Sequence, residues 1–94
     1  MANNLIIGYD LNAPGQNYDN VINVIKSLGG WAKLQKSLWF VSSSYSASQA
    51  RDIIKGAMDK NDNVFVVDAL NNDSAWFGVV AEASEYVVKN WSQR

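Results

Sequence analysis

Asp10 is the carboxylate best placed to do chemistry in this sequence. It closes the apolar run Leu5-Ile-Ile-Gly-Tyr9 and precedes Leu11-Asn-Ala-Pro-Gly15, so it stands where a strand gives way to a turn. A carboxylate at such a place has two uses. It caps the backbone amides of the turn beside Asn12 and Pro14, as Asp does well, or it offers oxygen to a cation or a substrate. Asp68 ends a second apolar run, Val64-Phe-Val-Val67, shares a strand face with Val64 and Val66, and is read as a structural strand-end Asp, with a second functional carboxylate as the alternative. Gln35 and Ser37 fall at a hairpin, and a serine with neither His nor an evident Lys partner is a poor nucleophile. The hydroxyl cluster Ser42-Ser-Ser-Tyr-Ser-Ala-Ser48 reads as a solvated loop feeding a helix start.

The rest of the composition removes most other chemistries. There is no His and no Cys among the 94 residues, hence no imidazole base, no thiolate nucleophile, no disulfide framework and no zinc ribbon. Only hard, oxygen-preferring ions such as magnesium, manganese or calcium suit what remains. Eight Lys and Arg against nine Asp and Glu give a formal charge of -1, with no basic run. Lys33, Lys36 and Arg51 are too few for a phosphate track, so nucleic-acid affinity is expected to be weak. No apolar stretch is long enough to cross a bilayer, and Met1-Ala-Asn-Asn lacks the features of a secretory signal. A cytoplasmic location with no membrane contact is the expectation.

These residues must be held by a single domain over residues 1–94, which is 48% hydrophobic and carries eleven aromatic residues. After the first strand, Tyr18, Val21, Ile22, Ile25 and Leu28 recur at helical steps, predicting a helix over about 17–29, with Gly29-Gly30 supplying its left-handed stop. From Trp31 to Val41 two strands are predicted to meet near Lys36 and Ser37 in a hairpin or bulge. Ser46 with Gln49 is a capping-box pattern, followed by Ala47, Ala50, Ile53, Ile54, Ala57 and Met58 on one helix face, the helix ending near 59–61. Val64 to Leu70 reads as a buried strand. Asn71-Asn-Asp-Ser is a polar turn offering N-cap residues to a C-terminal helical extension over about 76–91, with apolar spacing at Val80, Ala83, Val87 and Trp91. Trp31 and Trp39 are expected in or beside the core.

Strand, helix, strand, strand, helix, strand is the order of the split βαβ, so the predicted fold class is α+β, a ferredoxin-like βαββαβ sandwich with an additional C-terminal helix. Its two helices cover one face of the sheet. Leu5, Ile7 and Tyr9 point one way and Ile6, Gly8 and Asp10 the other, while Leu38 and Phe40 oppose Trp39 and Val41. Both faces are therefore apolar and both need cover. Either the C-terminal helix folds back over the second face or a second copy of the chain packs there. A homodimer is the expectation, with Ile6, Gly8 and Asp10 on the dimer face.

The pieces Tyr9-Asp10-Leu11, Pro14-Gly15-Gln16-x-Tyr18, Lys26-Ser-Leu-Gly29-x-Trp31, Ser37-x-Trp39-x-Val41 and Arg51-Asp52 resemble the small bacterial proteins of the SinR family, themselves similar to the CRISPR-associated Cas-two family. The resemblance runs from about Asn4 to Leu70. It implies a ferredoxin-like homodimer in which the Asp ending strand one, here Asp10, contributes one carboxylate from each subunit to a divalent cation, Mg2+ or Mn2+, for phosphodiester hydrolysis. Two carboxylates across a twofold repel unless a proton or cation lies between them, and magnesium there polarises a phosphate. The sequence departs from DNA-gripping members of that family in having no cation from Asn12 to Asp19 and in its C-terminal part. The expected function is thus a Cas-two-like nuclease, weak or vestigial, with Asp10 as its catalytic residue. The alternative is a noncatalytic homodimeric binding or interaction module of a mobile element or defence system, with a protein or small ligand as partner.

Overall fold

The structure, a computed structural model, describes residues 2–12, 18–70 and 72–91. Seven elements follow one another: β1 (Asn3–Asp10), α1 (Asp19–Ser27), β2 (Gly29–Gln35), β3 (Leu38–Ser43), α2 (Ala47–Lys55), β4 (Asn63–Asp68) and α3 (Ala81–Asn90). The four strands form one antiparallel sheet in the order β2-β3-β1-β4, so the chain is α+β. The Pro14-Gly15 turn and the expected start of the first helix at 17 lie outside the described residues.

Period-two alternation in β1 sends Leu5, Ile7 and Tyr9 into a core closed by Val21 and Ile25 of α1 and Ala50 and Ile54 of α2. Trp39 and Val41 of β3 join them, and the Trp39 indole N–H donates to the Tyr9 hydroxyl at 3.1 Å, so both polar tips are satisfied inside the core. Each such large side chain removed from water stabilises the fold by about 1.5–3 kcal/mol. α2 starts as its sequence predicts: the Gln49 amide donates to Ser46 Oγ, and the Ser46 amide donates to Gln49 Oε1. The hairpin near Lys36 and Ser37 joins β2 to β3, with a register shift between Lys33 and Gln35. Trp31 sits at the rim of this core rather than inside it, 40% exposed and edge-on to Trp39.

The role expected for Gly29 and Gly30 is corrected. α1 stops at Ser27, Leu28 is right-handed, and both glycines are already in β2, while the positive φ among the described glycines belongs to Gly78. What they provide is close approach. A Cβ on Gly29 would run into the Ser42 backbone carbonyl of β3, and one on Gly30 into the Tyr86 hydroxyl of α3. Backbone cannot swing aside, whereas a tyrosine side chain can. Gly29→Ala is therefore expected to cost about 3 kcal/mol and Gly30→Ala about 1 kcal/mol in urea denaturation. Equal costs would contradict this account.

The second face of the sheet is covered differently from the expectation over half its width. α3 folds back over β2 and β3, where Ala32, Phe40, Ala83 and Val87 form a second core with Ile6, Tyr86 and Trp91 packed against it. A second copy is not what covers Phe40. The small residues Gly30 and Ala32 on β2 and Ala83 on α3 let the helix come close. The extension is helical only from Ala81, residues 72–80 being irregular among those described, and Val80 rather than the polar turn occupies the N-cap. Beyond α3, the β1–β4 side of this face leaves Phe65 74% and Val67 42% exposed. No helix among the described residues is long and apolar enough to cross a membrane.

Candidate functional site

β1 and β4 run antiparallel with Asp10 opposite Asn63, Gly8 opposite Phe65 and Ile6 opposite Val67. Cross-strand partners share a face, so Asp10 and Asn63 stand at the end of the uncovered part of the sheet, next to Gly8 and Phe65. Together with Tyr9 and Val64 they line an open depression of about 290 Å³. Asp10 is exposed, and no side-chain hydrogen bond or ion pair engages it among the described residues. Of the dimer-face residues expected from sequence, Gly8 and Asp10 lie on this open part, whereas Ile6 packs against the core under α3. Gly8 has ordinary contact distance to spare, a Cβ there lying 3.6 Å from Leu38. Its own fold does not demand a glycine at that position.

Asp62 caps the Asn12 end of the segment that follows β1. One Asp62 oxygen accepts the Asn12 backbone N–H at 2.7 Å and the Tyr18 hydroxyl at 2.9 Å, and the other accepts the Asp59 N–H at 2.8 Å. The Asn12 side-chain amide donates to the Asn61 carbonyl at 3.1 Å. This network ties the end of β1 to the start of β4 and so fixes where Asp10 stands. Sequence reasoning missed Asp62; its signal was the polar turn Asp59-Lys-Asn-Asp62 directly before a strand. Partial desolvation raises the Asp62 pKa, but the Asn12, Asp59 and Tyr18 donors outweigh it and hold the carboxyl below its ordinary value.

A depressed folded-state pKa means the charged form is the one the fold favours. The resulting stability is fully present above the ordinary carboxylate pKa of about 4 and is lost as pH falls through the lower folded value. Asp62→Asn, with an amide facing donors, is expected to lower the melting temperature at neutral pH and to flatten the acid limb of its pH profile. Thermal melts between pH 2 and 7 check this. A variant as stable as the native chain at pH 7 would contradict it.

The other candidates take structural places. Asp68 accepts the Asn4 and Leu70 backbone N–H groups at 3.2 and 3.1 Å, as a strand-end Asp should. Gln35 and Ser37 are exposed at the hairpin, and Ser43 Oγ donates to the Leu28 carbonyl at 2.7 Å, tying β3 to the end of α1. Three cations are occupied locally: Lys26 lies 4.6 Å from the Trp31 ring centroid, Lys33 lies 5.7 Å from that of Trp39, and Arg51 pairs with Asp52 at 2.9 Å.

An oxygen-only donor set suits magnesium or manganese. Each chain offers one carboxylate at this place, Asp10, with Asn63 beside it, and no group of three or more acidic, His or Cys residues that could hold a metal gathers among the described residues. A single chain therefore gathers too few carboxylates at this place to enclose a divalent cation by itself. Comparison of the chain with protein-family models, with curated proteins and with solved structures found no match.

Proposed function

We propose that this protein is a ferredoxin-like, Cas-two-like small cytoplasmic protein that acts as a homodimer, with Asp10 of each subunit holding one Mg2+ or Mn2+ for weak hydrolysis of phosphodiesters. The observation that carries the reading is Asp10 itself: an exposed strand-end carboxylate beside an uncovered apolar surface. The ferredoxin-like part is supported by the element order, by β1 lying between β3 and β4, and by α1 and α2 sharing one core. The dimer is supported by Phe65 and Val67, two large apolar side chains exposed on the same face as Gly8 and Asp10.

Bound between two such carboxylates, the cation would supply charge to the phosphate and acidify its water. The residues of this chain position it: β1 presents Asp10, the Asp62 network fixes the strand end, and Asn63 adds an amide at the rim. Nucleic-acid affinity is weak in this reading, because few cations cluster and three of them are engaged locally. Magnesium-dependent cleavage of single-stranded RNA and duplex DNA, compared with Asp10→Ala, is the test.

The second reading, a noncatalytic dimeric interaction module, is favoured by the same exposed Phe65 and Val67, which offer a partner an apolar surface whether or not Asp10 holds a metal. A dimer that neither cleaves nor responds to divalent ions selects it.

A further inference from the structure

At the other end of the second sheet face lies a cleft of about 380 Å³ between the sheet, the irregular segment before α3 and α3 itself. That volume falls in the range of small-molecule sites. Its apolar wall is Ile6, Leu38, Phe40, Trp76 and Trp91. Phe40 is fully buried and stacks on Trp91 with centroids 5.7 Å apart. Both indole N–H groups are already spent, that of Trp76 on Ser84 Oγ at 3.0 Å and that of Trp91 on the Asn72 carbonyl at 2.8 Å. What the tryptophans have left to offer a ligand is aromatic surface.

The polar part of the lining is Gln35, Asp73 and Ser74, with neither Lys nor Arg. Among the described residues Asp73 is therefore the single charged group of the lining. Aromatic faces and a carboxylate both attract a cation, and nothing in the lining among the described residues neutralises an anion. This disfavours phosphates and carboxylates as occupants relative to cations, and the cleft shares no lining residue with the depression at Asp10.

We propose that this cleft is a binding site for a small planar aromatic ring carrying an aliphatic amine, its ring against Trp76 and Trp91 and its ammonium directed to Asp73. The inference does not depend on the Asp10 reading, since a protein without any metal response would still carry it.

The four tryptophans provide the readout, because Trp76 and Trp91 line the cleft while Trp31 and Trp39 pack on the opposite face with Lys26. Full-length protein labelled with nitrogen-15 is titrated with tryptamine, with neutral tryptophol and with anionic indole-3-acetate, and the four indole N–H signals are followed by NMR. Tryptamine is expected to move the Trp76 and Trp91 signals with a Kd of about 1 mM, leaving Trp31 and Trp39 in place. Tryptophol should bind roughly threefold more weakly and indole-3-acetate more weakly still. Asp73→Asn, an exposed substitution that leaves the core intact, should bring tryptamine down to the tryptophol value. Equal shifts at all four indoles, binding of indole-3-acetate as tight as that of tryptamine, an unaltered Kd in Asp73→Asn, or no shift at 10-fold the expected Kd would each overturn the assignment. Shifts of Trp76 and Trp91 that follow protein concentration and ignore tryptamine would give the cleft to a second copy and overturn it equally.

Discussion

Phe40→Ala is expected to lower the unfolding free energy by about 3–5 kcal/mol, which for a domain of this size is a fall in melting temperature of about 12 °C or more. Phe40 is fully buried at the centre of the second core, and Ala32, Ala83 and Val87 around it are too small to close the cavity its ring would leave. The ring also stacks on Trp91 and lies 6.3 Å, centroid to centroid, from Tyr86, so its loss loosens α3 from the sheet. Urea denaturation gives the energy, and amide hydrogen exchange shows where it is lost. Protection should fall first in Ala81–Asn90 and only later in β1, whose Leu5, Ile7 and Tyr9 face the other core. Phe40→Leu, which keeps the site apolar, should cost roughly 1–2 kcal/mol and keep α3 protected. A loss below about 1 kcal/mol in Phe40→Ala, or uniform loss of protection, would mean that α3 is not what covers this face.

How far the sequence reaches can be judged on that same residue. Phe40 was legible as buried on the face opposite Trp39, because alternation in a strand fixes which side a side chain takes. What lies on top of it was not, because apolar residues of both parities say that two layers exist without saying which chain provides the second. The signal that decides it is steric: Gly30 and Ala32 in β2 and Ala83 in α3 are small where a helix must approach, and that complementarity appears only once the two elements face each other. The Ser46 capping box was readable because all its partners lie within three residues. The capping of Asn12 by Asp62 was not, since the two residues are brought together only by the pairing of β1 with β4. Local chemistry was visible in the sequence, and chemistry assembled across strands was not.

Asp10 gives the largest expected effect on activity. If two copies meet through the uncovered β1–β4 surface, their Asp10 carboxylates approach with no protein donor among the described residues to offset the charge. Like charges about 4 Å apart in water-like surroundings cost about 1 kcal/mol, so Asp10→Asn should raise the melting temperature of the metal-free protein by about 4–8 °C. Millimolar magnesium or manganese should stabilise the native chain and leave the variant where it was, since a ligand stabilises only the state that binds it. Cleavage of RNA or DNA, if present in the native protein, should fall by about 100-fold or more in Asp10→Ala. Phe65→Asp separates the site from the pair. Phe65 is 74% exposed in one chain, so its replacement should leave the fold intact, dissociate the dimer in sedimentation and abolish the metal response while Asp10 is still present. A metal response that survives Phe65→Asp in a single chain would put the cation on one protomer, against the one-carboxylate geometry of the site. An Asp10→Asn variant that is less stable than the native chain, with neither protein responding to divalent ions, would remove the metal and with it the physical ground for phosphodiester hydrolysis, leaving Phe65 and Val67 as the surface that defines what this protein does.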